Sequence, residues 1–175
     1  MEIVVTNSLS TSLEIPISFI FWSFVIAYII HIIDESLMGE TFVGMVKNLF
    51  WPEYKWKHFF GFNTLLLLLT IISIILFEVF NGLWIIAPLI FVFLYTTNGI
   101  WHLVSTIITK KYSPGLATSL IYWILFYFLV RYSFIPNTIP TQIIIISTIA
   151  GTFLTIVMIC SFFILKKRFK RHYNY

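Results

Sequence analysis

Long apolar runs separated by short polar or turn-forming connections organise this chain, and five of them, at residues 15–38, 59–80, 83–108, 116–135 and 143–165, are candidate helices. Each approaches or exceeds the roughly 20 residues that a helix needs to cross a hydrocarbon core. The breaks between them are made of strong turn formers. Asn81-Gly82 divides the second run from the third, Ser113-Pro114-Gly115 precedes the fourth, and the stretch from Pro136 to Pro140 precedes the fifth. Residues 39–58 differ: Phe42, Val43, Val46, Trp51 and Trp56 alternate there with Lys47, Lys55 and Lys57. That mixture suits a segment lying in the membrane interface rather than crossing it. The pattern predicts an all-α fold, an integral membrane bundle of five transmembrane helices with one interfacial segment, in a single domain over residues 1–175.

Composition agrees, with 59% hydrophobic and 10% charged residues, against about 25% charged in soluble domains. No Lys or Arg precedes the first run, where Glu2 and Glu14 stand. The basic start of a cleavable signal peptide is therefore missing, and the first run is expected to remain as a helix. Cys160 has no partner for an intramolecular disulfide and reads as a small packing residue. The net charge of +4 comes mainly from Lys166, Lys167, Arg168, Lys170 and Arg171. This run reads as an anchor against anionic lipid, and no nucleic-acid surface is implied. Ten of the eleven basic residues fall in the first connection, the third connection or the tail, and only Arg131 falls opposite. The expected topology is a multi-pass protein of the cell membrane, N-terminus outside and C-terminus cytoplasmic.

Polar residues interrupt the apolar runs at a few places. His31, Asp34 and Glu35 share one helix face in the cytoplasmic third of the first span. Tyr95, Asn98, His102 and Ser105 form one stripe on the third span, and His102 lies about 12 Å from the boundary marked by Lys110. Asn63 enters the second span at similar depth. An ionisable group at such depth is a functional site by default. Asn63, Thr70 and Ser105 are also read as interhelical hydrogen-bond partners, as is usual for polar residues in spanning helices. His58 reads as an interfacial histidine and His172 as a solvated one. Two carboxylates in the last turn of a helix oppose its dipole unless something positive is near. Protonated His31, Lys47, Lys55 or a metal ion would serve. Tyr28, His31, Glu35, Asn63, Asn98 and His102 are expected around one cavity walled by apolar residues of the fourth span. Ser147, Gly151 and Thr155 read as a close helix contact, and Pro88 as a kink.

The segments His31-Ile-Ile-Asp34-Glu35, Asn98-Gly-Ile-Trp-His102 and Lys110-Lys-Tyr112-Ser-Pro114-Gly115-Leu-Ala-Thr118 resemble, in order and spacing, the signature of the HXXEE-domain family of small bacterial and archaeal membrane proteins. The resemblance covers residues 25–125 and implies a helical membrane fold. It implies no mechanism, because the function of the family is uncharacterised. Asp34 departs from the motif, which has Glu at that position; its shorter side chain makes Glu35 the stronger ligand candidate.

Two imidazoles and two carboxylates in a helical bundle form a nitrogen and oxygen set for one divalent metal, Zn, Mn or Fe. The expected ligands are His31, Glu35, His102 and Asp34. Acid/base catalysis without a cofactor is the alternative, since a buried carboxyl beside a histidine passes protons near neutral pH. The catalytic set is then His31, Glu35 and His102, assisted by Asp34 and Asn98, with Tyr28, Asn63, Tyr95 and Tyr112 contacting substrate. The expected partners are membrane lipids and a lipid-like or apolar small molecule, in a hydrolase or isomerase reaction, and a homo-oligomer is left open. A small transporter or proton relay, or a binding or immunity-type membrane protein, are the competing classes. The charge asymmetry gives a first test of topology: a cysteine placed at position 137 should react with impermeant maleimide from outside the cell, and reaction only from the cytoplasm would reverse the orientation.

Overall fold

The structure is a computed structural model that describes residues 15–37, 41–136 and 138–172. Glu2, Glu14, Met38, Gly39 and Asn137 lie outside the described residues, as do the side chains of the basic run from Lys166 to Arg171 and of His172. Six helices follow in order: α1 (Ile17–Leu37), α2 (Phe42–Leu49), α3 (Trp56–Phe80), α4 (Ile86–Thr109), α5 (Leu116–Leu129) and α6 (Thr141–His172). No strand occurs among the described residues. Among the described residues five helical stretches are long and apolar enough to span a membrane, as a multi-pass membrane protein requires. The short α2, capped by the Thr41 hydroxyl accepting from the Gly44 N–H at 3.3 Å, is the helical core of the expected interfacial segment.

The last helix starts two residues before and runs seven residues beyond the expected span, and three other boundaries differ for reasons of backbone chemistry. The second span begins earlier, at Trp56, because the His58 ring accepts from the Lys55 N–H at 3.0 Å and so caps the first turn. The third span opens with a 3₁₀ turn, Gly82–Ile85, after Asn81 in the left-handed region at φ 54°. Pro88 therefore sits in the first turn of α4, where a missing N–H costs no helical bond, rather than in the interior of the helix. The fourth span ends in a π-helical turn, Val130–Phe134.

α1 and α4 hold the centre. Ile20, Phe21, Phe24, Tyr28 and His31 recur at helical spacing on the buried face of α1, and Leu89, Val92 and Tyr95 do so on α4. α1 packs on α3, α4 and α5, while α4 packs on α3, α5 and α6. The outside is apolar: Ile26, Leu65, Leu68, Ile72, Ile124 and Phe153 all point outward. In water such a surface would drive aggregation, whereas in lipid it needs no partner. Cys160 is on this exposed face, so it is not the packing residue expected.

Ser147, Gly151 and Thr155 do form a close contact, against α4. Thr155 Oγ1 donates to the Leu94 carbonyl at 3.2 Å, and Ser147 Oγ reaches towards the Ile86 carbonyl at 3.5 Å. A Cβ on Gly151 would stand 2.5 Å from the Ile90 carbonyl oxygen and 2.7 Å from Phe93 Cβ. Neither neighbour is a flexible side-chain end, so the helices would have to separate. Gly151→Ala should lower stability in detergent by about 1–3 kcal/mol, the usual cost of overpacking. Gly61→Ala, where a Cβ meets nothing within 4 Å, is the control in the same thermal-unfolding assay and should be neutral or mildly stabilising.

Candidate functional site

The polar residues singled out in the sequence meet at the end of the bundle where α1 finishes and α5 begins. α1 and α5 pack antiparallel, so the partially negative last turn of α1 faces the partially positive first turn of α5. Asp34 fills this junction. Its carboxylate accepts from the Thr118 N–H at 3.3 Å, from Thr118 Oγ1 at 2.9 Å and from the Tyr112 hydroxyl at 3.0 and 3.2 Å. The positive partner demanded by the α1 dipole is thus, for Asp34, the end of another helix. Lys47 and Lys55 are exposed, and no lysine pairs with either carboxylate among the described residues.

Glu35, one residue on, turns about 100° further round the helix and faces the two histidines. Its Oε1 lies 3.6 Å from His31 Nε2 and 3.5 Å from His102 Nε2. These separations exceed a hydrogen bond. The imidazole rings are 5.1 Å apart between centroids at 73°, and both are fully buried. One ligand atom from each of the three residues lies within 4.8 Å of the others.

Hydrogen bonding behind the rings sets their tautomers. The Thr118 hydroxyl has a single proton, and the Asp34 carboxylate at 2.9 Å and the Gly115 carbonyl at 3.1 Å are both acceptors for it, so at 2.8 Å the hydroxyl accepts from His31 Nδ1–H. His31 Nε2 is then a bare lone pair, and it has no hydrogen-bond partner. His102 Nδ1 lies 3.1 Å from Ser113 Oγ, while Asn98 Nδ2, a donor, lies 3.2 Å from His102 Nε2. His102 also carries its proton on Nδ1 and presents Nε2. Gly115 closes the site at φ 97°: a Cβ there would meet His31 Cε1 at 2.6 Å and His102 Cε1 at 2.9 Å. The sequence reading of Pro114-Gly115 as turn formers is correct but incomplete, because the turn also rests against both rings.

A cavity of about 220 Å³ adjoins this triad, lined on its polar side by Tyr28, His31, Glu35, Asn63 and Asn98. His102 stands behind Glu35 rather than on the cavity wall. Tyr28 donates to Asn63 Oδ1 at 2.6 Å and stacks on Tyr95 at 4.5 Å, and the Tyr95 and Thr70 hydroxyls are 2.5 Å apart. The apolar wall is not the expected one. It comes from Phe62 and Leu66 of α3, Leu94 and Trp101 of α4, and Met158 and Ile159 of α6. The fourth span instead lies behind the histidines, bringing Thr118, Ser119 and Tyr122. Its packing against α1 fixes this arrangement, which hydropathy does not encode.

Two expected roles change. Asp34 does not converge with the other three ligand candidates; its oxygens are taken up by Thr118 and Tyr112. Tyr112 lies outside the cavity and holds Asp34. Partial burial, and then the carboxylate it donates to, raise the pKa of its phenol above the ordinary value. Thr118, Ser113, Tyr122 and Tyr54 were missed as site residues. Tyr122 is one helical turn after Thr118 and stacks on Tyr95 at 5.5 Å, with its buried hydroxyl unpartnered. Tyr54, in the connection, closes the cavity from above; burial and then the negative Glu35 raise its pKa.

The tautomer of His31 depends on Thr118 giving its proton to an acceptor, the Asp34 carboxylate or the Gly115 carbonyl. Asn in place of Asp34 has one acceptor atom where the carboxylate offers two oxygens to three donor groups. Thr118→Val should remove the single Nδ1–H form of His31, read as a change in its ring ¹⁵N shifts, with the His102 shifts moved less, and Asp34→Asn, which leaves the Gly115 carbonyl in place, should move the His31 shifts in the same sense by a smaller amount. Unchanged His31 shifts in both variants would refute the chain Asp34–Thr118–His31.

All residues of the triad and the bonds behind it lie between residues 28 and 122. No curated protein and no solved structure matches this chain. A family model described as "Protein of unknown function with HXXEE motif" matches residues 22–130, from α1 to the π-helical turn after α5, and α6 lies beyond it. By that match, the chain belongs to the HXXEE family.

Proposed function

We propose that the protein is a membrane-embedded enzyme in which His31, Glu35 and His102 hold one divalent metal, and that it acts on a lipid-like substrate in the adjoining cavity. The observation that carries the reading is the convergence of two Nε2 lone pairs and one carboxylate oxygen, at 3.5 and 3.6 Å. Donor atoms around a tetrahedral zinc stand about 3.4 Å apart, given bonds near 2.0–2.1 Å. The arrangement also has the ligand economy of a catalytic rather than a structural site: three protein ligands leave room for a water or substrate. Thr118 and Ser113 serve as the outer partners that fix ring orientation, the role such groups have around metal-bound histidines. A bound ion would supply Lewis acidity and a water acidic enough to ionise near neutral pH. The chain itself excludes bulk water and orients the substrate through Asn98, Asn63 and Tyr28.

A metal-free reading of the same site is favoured by the contact of Asn98 Nδ2 with His102 Nε2 at 3.2 Å, which occupies the lone pair a metal would use. There Glu35 and His31 would exchange a proton with substrate. Both readings place the site near the cytoplasmic leaflet of the cell membrane, because the basic connections fall at this end of the bundle.

Metal analysis of gently purified protein separates them. The expected content is about one Zn, Mn or Fe per chain, lost in His31→Ala, His102→Ala and Glu35→Gln and kept in Glu78→Gln, whose carboxylate bonds Ser18 and Trp22 elsewhere. The three site variants should fail to complement a deletion strain while remaining folded, since acid/base terms alone are worth roughly 10²- to 10⁴-fold in rate. A structural polar contact between membrane helices averages only about 0.6 kcal/mol and would track folding. A metal-free wild type with inactive variants would select the acid/base reading. Full complementation by all three variants would end the enzymatic one.

A further inference from the structure

The cavity has two sides from which a ligand could arrive, and they differ in chemistry. At the interfacial end it is roofed by α2 and the connection after it. Trp51 stacks on His58 with centroids 4.9 Å apart at 17°, Tyr54 packs on both at 5.5 and 5.7 Å, and Phe42 leans on Phe59 at 5.8 Å. Val46 and Phe59 beneath them are fully buried. This roof is a small hydrophobic cluster of its own, continuous from Phe42 to Phe59.

On the flank no such cover occurs among the described residues. α3 and α6 both pack on α4 but not closely on each other. They leave a cleft with Phe62 and Leu66 on one side, Met158 and Ile159 on the other and Trp101 between. From His58 to Leu66 the cavity follows about 12 Å of α3, entirely below the start of the span. The helix surfaces on both sides of the cleft are apolar and outward-facing, as Leu65, Leu69, Leu154 and Val157 show. A volume of about 220 Å³ falls below the roughly 300–1,000 Å³ of pockets that enclose a drug-sized ligand. A lipid-like molecule therefore has only part of itself inside.

We propose that the α3–α6 cleft is a lateral portal through which a single-chain amphiphile reaches the site from the bilayer, its polar head inward at Glu35, Asn63 and Asn98 and its chain left between α3 and α6. The polarity of the lining runs in that sense, with Glu35, Asn63 and Asn98 inside and Phe62, Leu66, Met158 and Ile159 on the flank, where the hydroxyl of Ser161 is taken up by the Met158 carbonyl. The cost of stripping the chain of water is not incurred again, because the chain passes from lipid to apolar side chains. This rests on the reading of the site as one that acts on lipid-like molecules, and it adds the route and the shape of the ligand.

The test uses full-length protein in lipid nanodiscs with palmitic acid carrying a diazirine in its chain, and peptide mapping of the photo-adducts. Adducts should concentrate on Phe62, Leu66 and Met158 over the other lipid-facing positions, such as Ile72 and Ile124. Met158→Trp, which fills the cleft, should abolish that enrichment, and Phe62→Ala, which widens it, should increase it; both positions are at least partly exposed, so folding is not at stake. Even labelling of the whole apolar surface, enrichment at Trp51 and Tyr54 instead, or insensitivity to both variants would overturn the portal. Metal content of the same samples keeps the two ideas apart. Cleft adducts on metal-free protein support the portal and count against the metal, while even labelling of metal-loaded protein does the reverse.

Discussion

The site depends on one electrostatic junction, where the carboxylate of Asp34 at the end of α1 receives the first-turn donors of α5. Where the two buried helix ends meet, their unpaired backbone groups need partners from the chain itself. A carboxylate that accepts a backbone N–H and a hydroxyl from the same residue satisfies the α5 end, and the α5 dipole in turn stabilises a charge that the α1 dipole disfavours. A bond of this capping kind contributes about 0.5–2 kcal/mol on helix-cap measurements. Leaving the carboxylate unpaired would cost far more. The junction fixes where Thr118 stands, Thr118 fixes the His31 ring, and the turn that leads into α5 brings Ser113 and Gly115 against His102.

Elsewhere the bundle closes its polar groups in pairs: Tyr28 with Asn63, Tyr95 with Thr70, and Thr155 with the Leu94 carbonyl. Such pairs are how helices in lipid hold together when burial of apolar surface supplies little driving force between them. Against that background two buried atoms without a hydrogen bond, His31 Nε2 and Tyr122 Oη, are informative. Both belong to the small aromatic and imidazole cluster around Glu35. Unsatisfied groups that persist in a buried site mark the places where something other than folding has shaped the residues.

The five spans were readable because hydropathy and helix length are one-dimensional properties. His31, Glu35 and His102 were readable for a related reason: polar residues at helical spacing in apolar runs must turn towards one another. Asp34 shows where that reasoning stops. It is adjacent to Glu35 and chemically alike, yet its partner Thr118 is 84 residues away on another helix. Thr118 closes the third segment of the family resemblance, but a threonine in a spanning helix ordinarily bonds its own backbone, so nothing in that segment pairs it with Asp34. The apolar wall was assigned to the wrong helix because hydropathy says that a helix is in the membrane and not which neighbours it has. Pro88 was read as a kink because the 3₁₀ turn before it was not visible, and only that turn puts the proline in a first turn.

Gly115 has a consequence for how the site meets a ligand. A Cβ at this position would crowd the Cε1 edges of both imidazoles, so only glycine lets the turn lie against the two rings, whose orientations are held by the hydrogen bonds behind them, to Thr118 and Ser113. These hydrogen bonds hold both Nε2 atoms towards Glu35, that of His31 free and that of His102 shared with Asn98, before any ligand arrives. Little conformational entropy remains to be lost on binding, and that loss is a main cost of association at sites built from mobile side chains. A small turn, through an atom it lacks, lets the start of one helix and two imidazoles share the centre of the bundle.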